Sequence, residues 1–316
     1  MSTIDSVHSP FLVFLISDLL RIPVLTSLLS KLIDNQEITS EDWNQYLKDS
    51  HKQQPGMTPM AFSAHQTIEG FNSYQILSQE ILTPIHKPIS LLDLGCGDGH
   101  LFRYLVERVH PESTMYGLDM SNYELEIAKS NYLETNITFL LGNAQTIPLK
   151  DNTLDVVLSH MSFMLMTPIT PVVDELKRVL KPGGAFSAVI GLRQNTTELY
   201  SSLQTVLKSF LHKHVPNLRD VKVGDSRTST IDGLSNLFLD EGGFSKLERV
   251  EDFSLVMDVE VEEVWSIFRD MYFIDLMGKE YQIQLEKELI SIAKCYMDSE
   301  NRVQIDWPMR KFTFVK

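Results

Sequence analysis

The ten residues Leu91-Leu-Asp-Leu-Gly-Cys-Gly-Asp-Gly-His100 constrain the fold of this chain more than any other segment. They begin as a short apolar run, which is typical of a buried strand. Three glycines follow at alternate positions, Gly95, Gly97 and Gly99. Because glycine has no Cβ, the backbone of such a turn can pass within contact distance of a ligand. The segment therefore predicts a buried strand that ends in a ligand-binding turn.

The spacing of these glycines argues against a dinucleotide site. A dinucleotide loop has glycines at its first, third and sixth positions, so that the N-terminus of a helix receives the pyrophosphate. Counted from Gly95, the sixth position is His100. Asp93 adds a negative charge, which suits a cationic ligand better than a pyrophosphate. A nicotinamide-dependent oxidoreductase is therefore disfavoured.

Strands and helices alternate along the middle of the chain. Apolar runs predict strands over 88–94, 114–118, 137–141, 154–158 and 185–190, and helical spacing lies between them over 101–109, 121–133 and 171–180. Ser121 is the expected N-cap of the second helix, with Glu124 three residues later. Because the strands are continuous apolar runs, they predict a parallel sheet covered on both faces.

Together with the regions that flank it, this alternation predicts the α/β fold class. We expect a Rossmann-like doubly wound sheet of five parallel strands plus a terminal antiparallel hairpin. The hairpin strands are expected at 245–257 and 303–315. Helical spacing predicts an N-terminal helical cap or lid region over 1–83, with a loop at 53–59, followed by the main domain over 84–316. That domain is expected to carry helical insertions at about 192–231 and 258–300, with residues 260–297 helical.

Further motifs stand at the ends of the expected strands. Asp119 ends the second strand, where a carboxylate can accept both ribose hydroxyls of a nucleoside. Gly142-Asn-Ala144 follows the third strand, where an amide and the backbone can pair with an adenine edge. Ser159-His-Met161 ends the fourth, and Lys181-Pro-Gly-Gly184 precedes the fifth. The whole series resembles the class I S-adenosylmethionine-dependent methyltransferases. It is most similar to their small-molecule branch, which includes quinone-type and biotin-pathway enzymes.

The resemblance covers residues 88–192 well and 231–257 loosely, and it implies a cofactor and a set of contacts. The cofactor is S-adenosylmethionine and the product S-adenosylhomocysteine. The implied contacts are Asp93, Gly95 and Gly97 around the methionine moiety with Gly99 completing the turn, Asp119 on the ribose, Met120 on the adenine face, and Asn143 and Ala144 at the adenine edge. Cys96 in the same turn and Ser159 at the end of the fourth strand are further candidate cofactor-binding residues. The family more often has Asp where this chain has Asn143.

Each implied contact has a structural alternative. Asp119 is also the type of carboxylate that a helix N-terminus favours. Asn143 is a common turn residue, and Met120 a common core residue. Cys96 is expected to pack as a small side chain and not to act as a nucleophile.

Catalytic and substrate residues are less well defined by the sequence. His160 is the candidate general base, since its ordinary pKa of about 6.5 suits proton transfer near neutral pH; the alternative is a histidine that only lines the pocket. The candidate substrate residues are Met161 and Phe163 in an apolar wall, His65 and Tyr74 in an N-terminal lid, and Arg227 as a grip on an anionic group. Core packing and helix capping are their structural alternatives.

The implied reaction is direct in-line displacement, which moves the methyl group to a small-molecule acceptor. Two alternatives stay open: a binding or regulatory protein that keeps the cofactor site without transfer, and a methyltransferase for protein side chains. Lys and Arg number 28 against 42 Asp and Glu, a net charge of −14, so no basic surface is available for nucleic acid. No metal-ligand spacing stands out.

Location and assembly follow from the remaining features. The two cysteines, Cys96 and Cys295, cannot form a disulfide framework, which predicts a reducing, cytoplasmic compartment. The apolar stretch at 11–17 is interrupted by Asp18, Arg21 and Pro23, so we expect no integral membrane span. The same stretch suggests a homodimer through the N-terminal helices.

Overall fold

A seven-stranded sheet organises the part of the chain that the structure, a computed structural model, describes: residues 27–81, 87–133, 135–192, 196–221 and 223–316. Its strands are β1 (Ser90–Leu94), β2 (Thr114–Asp119), β3 (Ile137–Leu141), β4 (Leu154–His160), β5 (Leu180–Gly191), β6 (Lys246–Glu260) and β7 (Arg302–Val315). Their order is β3-β2-β1-β4-β5-β7-β6. Strands β1 to β5 are parallel, whereas β7 is antiparallel to β5 and β6. The expected Rossmann-like fold is confirmed.

Helices cover the sheet and extend beyond its ends. They are α1 (Ser27–Ile33), α2 (Ser40–Gln53), α3 (Met57–Phe62), α4 (Ser73–Ser78), α5 (Phe102–Leu105), α6 (Asn122–Asn131), α7 (Thr170–Val179), α8 (Glu198–His214), α9 (Ile231–Ser235), α10 (Val264–Phe268) and α11 (Lys279–Ala293). The expectation of continuous helix over 260–297 is wrong, because residues 269–278 form turns between α10 and α11. The expected loop at 53–59 is shorter, since α3 accepts Pro59 in its first turn.

Local capping fixes where the helix after β2 begins. Ser121 is the N-cap of α6, and its Oγ accepts the Glu124 backbone N–H at 3.4 Å. The carboxylate of Glu124 does not accept the backbone N–H of Ser121, as it would in a capping box. It turns toward α2 instead and contacts His51. Glu124 is therefore available for contacts outside its own helix.

The sheet is packed on both faces. On one face, α7 and the π-helix Asn236–Glu241 pack on β4, β5 and β7, where the rings of Phe163, Phe186 and Phe238 lie within 5.6 Å of one another. On the other face, α4 and α5 pack on β1, β4 and β5. These two layers hold the carboxyl ends of β1, β2 and β4 at one edge, where ligands bind in open α/β sheets.

The N-terminal helix α2 and residues 269–278 together form a roof above this edge. Four aromatic side chains join them, with Tyr46 stacked on Phe273 at 5.5 Å and Trp43 against both Tyr272 and Phe273. The Tyr46 hydroxyl donates to Asp275 at 2.7 Å. Trp43 Nε1 donates to the Leu165 carbonyl at 3.0 Å, which ties the roof to the loop after β4.

A buried ion-pair cluster fixes α4 to the hairpin strand β7. Lys311 is 1% exposed, and its Nζ lies 3.2 Å from Glu80 and 2.8 Å from Glu251. Glu80 also accepts from Thr313 at 3.0 Å and from Arg249 at 3.1 Å. Because Glu80 lies two residues after the end of α4, this cluster holds α4 against the sheet.

The first 26 residues lie outside the described part of the chain. The apolar stretch at 11–17, and with it the expected homodimer surface, falls among them. None of the helices in the described ranges is long and apolar enough to cross a membrane. The division into an N-terminal helical region over 1–83 and a main domain over 84–316 stays a prediction.

We predict that Glu80→Ala destabilises the protein by about 3 kcal/mol, because it leaves the buried ammonium of Lys311 with one carboxylate in place of two. Equilibrium unfolding in urea measures the change. Glu248→Ala is the matched control, since Glu248 lies on β6 and pairs only with the exposed Lys246 among described residues. Equal effects of the two substitutions would contradict a structural role for the cluster.

Candidate functional site

The turn after β1 is built by glycine conformations and a carboxylate. The φ angles of Gly95, Gly97 and Gly99 are 73°, 52° and 79°. Glycine adopts such positive values readily because it has no Cβ. Gly97 N–H donates to Asp119 Oδ2 at 2.9 Å, and Ser121 N–H donates to Oδ1 of the same carboxylate at 2.8 Å. Asp119 therefore joins the turn after β1 to the start of α6.

A cavity of about 1040 Å³, counted with its open mouth, lies between this turn and the roof. Most residues singled out from the sequence line it: Asp93, Gly95, Cys96, Gly97, Asp119, Met120, Asn143, Ala144, His160, Met161 and Tyr74. The structure thus brings together residues from β1, β2, β3, β4 and α4. Their individual roles stay predictions.

Three expected residues lie behind the cavity wall. Gly99 packs against Tyr132, and Tyr132 OH donates to its carbonyl at 3.0 Å. Ser159 is fully buried and donates to the Leu94 carbonyl at 2.9 Å, so it fixes β4 to β1. Phe163 is not in the expected apolar wall, because its ring belongs to the aromatic core with Phe186. All three therefore pack behind the residues that line the cavity and do not contact it.

Two other expected substrate residues lie away from the cavity. The guanidinium of Arg227 is engaged by Asp225 at 2.8 Å and by Glu241, so it is not free to grip an anionic substrate. His65 lies beside Gln66, which pairs with Val256 of β6. Neither His65 nor Arg227 is among the residues that line the cavity.

Carboxyl groups dominate the polar lining of the cavity. Asp93, Asp98, Asp119 and Glu124 all line it, whereas Lys48 is the one permanently charged cation among the described lining residues. Burial raises the pKa of Asp93 well above its ordinary value, and the charges of Asp119 and Asp98 raise it further. Asp93 Oδ1 is buried without a hydrogen-bond partner. An arrangement of this kind is suited to a ligand that is cationic or rich in hydrogen-bond donors.

The thiol of Cys96 lies inside this negative environment. Burial raises its pKa well above the ordinary value, and the charges of Asp119 and Asp93 add to the effect. The thiol is therefore protonated at neutral pH and is a poor nucleophile.

His51 connects the roof to the cavity and carries no recognisable sequence signal. Its Nδ1 lies 2.9 Å from Glu124 Oε1, and its Nε2 lies 3.2 Å from the Tyr272 hydroxyl. Burial alone would lower the pKa of His51, but the hydrogen bond and charge of Glu124, with the charge of Asp119, raise it above 6.5. Protonated His51 is thus a counter-charge for the carboxyl groups below it.

Sequence reasoning also missed Asp98 and Glu124 as lining residues. Asp98 stands inside the glycine turn, and that position was an available signal. Burial raises its pKa, and the charge of Glu124 contributes. The sequence indicates only a capping role for Glu124, because its contact with His51 of α2 joins residues 73 positions apart.

His160 lies at the end of β4 in a buried, uncharged setting. Its ring stacks on Tyr74 at 3.7 Å, and its Nε2 lies 2.9 Å from Ser73 Oγ. Burial lowers its pKa to about 3, and the nearby His100 contributes. At neutral pH the imidazole is therefore neutral and a weak proton acceptor.

The segment after His160 forms the apolar part of the lining. Met161 adopts φ +53°, a conformation that non-glycine residues rarely hold. Leu165 and Met166 line the cavity beyond it. Ser162 Oγ donates to the Leu94 carbonyl at 2.9 Å, which holds this segment over β1. The cavity thus has an acidic side toward β2 and an apolar side toward β4.

Comparison with known proteins shows that part of this chain is similar to methyltransferases. A family model described as a methyltransferase domain matches residues 92–188. The chain is 41% identical over 99 residues to demethylmenaquinone methyltransferase of Lactococcus lactis, covering 30% of this chain and 39% of that protein. It is 22% identical over 124 residues to malonyl-acyl-carrier protein O-methyltransferase of Priestia megaterium, covering 39% of this chain and 44% of that protein.

The curated relatives match only in part, and a solved structure matches more widely. The chain spans less than half the length of these two relatives. The YcgJ protein from Bacillus subtilis superposes with a TM-score of 0.51 at 17% identity, covering 76% of this chain and 97% of that one. The likeness to YcgJ shows the fold alone. The match to a methyltransferase domain rests on the sequence of residues 92–188.

We predict that His51 stabilises the roof only while it is protonated. The pKa of His51 is raised on folding, so its contribution is complete below pH 6.5 and is lost as pH rises through the raised value. Glu124, Asp119, Asp98 and Tyr272 face it. Urea unfolding of wild type and His51→Gln across this range measures the effect.

The difference in unfolding free energy between the two proteins should shrink as pH rises. His212→Gln is the control, because His212 is exposed on α8. A difference that does not change with pH would show that protonated His51 has no role in holding the roof.

Proposed function

Because residues 92–188 form a class I S-adenosylmethionine-dependent methyltransferase domain, we propose that this chain transfers a methyl group to a small-molecule acceptor. The observation that carries the proposal is the glycine turn hydrogen-bonded to Asp119 at the floor of a roofed, acidic cavity. S-adenosylmethionine is the cofactor of the family and has a positively charged sulfur. The excess of carboxyl groups in the lining suits such a cation.

The lining residues divide into regions that suit the parts of this cofactor. Asp93, Gly95, Cys96 and Gly97 stand where the methionine moiety would lie. Asp119 stands where the ribose would lie. Met120, Asn143 and Ala144 would surround the adenine, and all of these residues line the one cavity. The uncompensated Asp93 Oδ1 supports this assignment, since the ligand's ammonium group would supply a partner for a buried acceptor.

Positioning by the protein is the main source of rate in this proposal. S-adenosylmethionine, when bound, would supply an activated methyl group, and in-line displacement by the acceptor would release S-adenosylhomocysteine. The fixed turn and the roof would hold both reactants in near-attack geometry, which is worth about 7–11 kcal/mol. The aromatic contacts of Trp43 and Tyr46 would keep the roof closed and water out.

The acceptor we propose is a small, largely apolar molecule. Met161, Leu165 and Met166 provide an apolar wall beside the acidic region. The name of the Lactococcus relative indicates a quinone-type acceptor, and that of the Priestia relative indicates an acyl group on a carrier protein. A net charge of −14 disfavours an acidic carrier protein as partner, so the proposal follows the first class.

His160 acts in this proposal as a neutral wall residue that orients the acceptor. A pKa of about 3 leaves it little capacity to remove a proton at neutral pH. We expect His160→Ala to lower turnover less than tenfold with cofactor affinity intact. A larger fall, with affinity intact, would restore the general-base role.

The cellular location that we propose is the cytoplasm. Cys96 and Cys295 both carry free thiols, which is usual in reducing compartments.

Calorimetric titration with S-adenosylmethionine and S-adenosylhomocysteine tests the proposal, with nicotinamide dinucleotides as controls. We expect binding of both sulfur nucleosides and of neither dinucleotide. Turnover in a library of small phenols, quinols and carboxylic acids then separates an enzyme from a binding protein. Failure of the folded protein to bind either sulfur nucleoside would overturn the proposal.

We predict that Asp119→Ala weakens S-adenosylhomocysteine binding by about 1.5–3 kcal/mol, because hydrogen bonds to a charged acceptor are lost. Asp174→Ala, on the exposed surface of α7, is the control. Unchanged affinity in Asp119→Ala would remove Asp119 from the ribose.

We also predict that Gly97→Ala abolishes cofactor binding while the protein stays folded. A Cβ on Gly97 would have no atom closer than 4.0 Å beyond Gly97 and its two chain neighbours, and it would occupy cavity space. Its positive φ would cost about 1–2 kcal/mol of stability. Gly183→Ala is the matched control, since Gly183 has φ +77° and open space around it. We expect similar unfolding midpoints for both variants, with titration separating them.

A further inference from the structure

Glu124 has one carboxylate oxygen that is buried without a partner. It lies in the first turn of α6, is 2% exposed and lines the cavity. Its Oε1 accepts Gly56 N–H at 3.2 Å and contacts His51 Nδ1 at 2.9 Å. Its Oε2 is buried and has no hydrogen-bond partner. An acceptor left in this state is stabilised when a ligand supplies a donor.

The unpartnered oxygen faces the same part of the turn as Asp119 does. A Cβ placed on Gly97 would lie 4.0 Å from Glu124 Oε2. The amide of Gly97 is also the group that Asp119 Oδ2 accepts, at 2.9 Å. Both carboxylates are therefore positioned around Gly97, one from the end of β2 and the other from α6.

We propose that Glu124 accepts one hydroxyl of the cofactor ribose through Oε2, while Asp119 accepts the other. This contact rests on the proposed function, since it requires a nucleoside in the cavity. A vicinal diol has two O–H donors. Asp119 already accepts two backbone N–H groups, whereas Oε2 of Glu124 accepts none. Two acceptors for two donors satisfy the diol and the buried carboxylate together.

Two carboxylates beside one diol repel each other unless a cation is close. His51 supplies that cation from the roof, and its bond to Oε1 leaves Oε2 for the ligand. Gly56, at the start of α3, holds the same Oε1 through its N–H. Glu124 thus contacts His51 of the roof with Oε1 and the ribose with Oε2. The same side chain therefore takes part in ribose recognition and in holding the roof.

The test is calorimetric titration of wild type and Glu124→Gln with four ligands. These are S-adenosylhomocysteine, its 2′-deoxy and 3′-deoxy analogues, and 5′-methylthioadenosine, which keeps the ribose but lacks the amino acid. Glu126→Gln is the matched control, because Glu126 lies two residues further on α6 and is exposed.

We expect Glu124→Gln to weaken S-adenosylhomocysteine and 5′-methylthioadenosine alike, by about ten- to a hundredfold. For one of the two deoxy analogues, wild type and Glu124→Gln should bind equally, because the hydroxyl that Glu124 accepts is missing. Glu126→Gln should bind all four ligands as wild type does.

Other outcomes overturn the contact in distinguishable ways. Equal losses for all four ligands would mean that Glu124 only supports the roof. A loss for S-adenosylhomocysteine without one for 5′-methylthioadenosine would place Glu124 on the amino acid. If wild type binds none of the ligands, the proposed function fails and the ribose contact fails with it.

A second variant covers the case in which Glu124→Gln fails to fold. Glu124→Asp keeps the charge opposite His51 but withdraws the oxygens by one methylene. We expect the same ligand pattern with a smaller loss. Wild-type affinity for every ligand in Glu124→Asp would overturn the proposal.

Discussion

The hydrogen bond from Gly97 N–H to Asp119 Oδ2 is the contact on which the rest of the site depends. It joins the turn after β1 to the end of β2, and the second oxygen of Asp119 fixes the start of α6 through Ser121. Parallel pairing of β1 with β2 brings these ends together. Helix α6 then presents Glu124 to the cavity, where Glu124 contacts His51 of the roof. The carboxylate of Asp119 therefore positions both the glycine turn and the residue that the roof contacts.

The site concentrates negative charge that folding alone does not compensate. Burial raises the pKa values of Asp93, Asp98 and Asp119, because it disfavours the charged forms of these carboxyl groups. A bound cation relieves this cost, since it stabilises the charged forms. His51 relieves part of it from above. The acidic floor and the roof are therefore two parts of one electrostatic arrangement, which favours a cationic ligand.

Local sequence patterns predicted the sheet well because its strands are apolar runs ended by glycine or polar residues. They predicted the cavity floor for the same reason, since the motif residues follow strand ends that a parallel sheet brings together. The prediction of a helix over 260–297 was wrong, because residues 269–278 form turns that pack against α2 although the helical spacing of apolar residues continues through them. The local patterns also misplaced Phe163 and Arg227, whose partners Phe186 and Glu241 are distant in sequence.

The sequence by itself determined where the strands of residues 88–190 lie along the chain, the glycine turn and the residues at the strand ends, because these follow from local apolarity and from the absence of a Cβ. Only the tertiary structure decided what covers the cavity. The contacts of His51 with Glu124 and of Tyr46 with Asp275 join residues 73 and 229 positions apart. Such contacts leave no periodic trace in the chain, since their geometry depends on how separate helices pack.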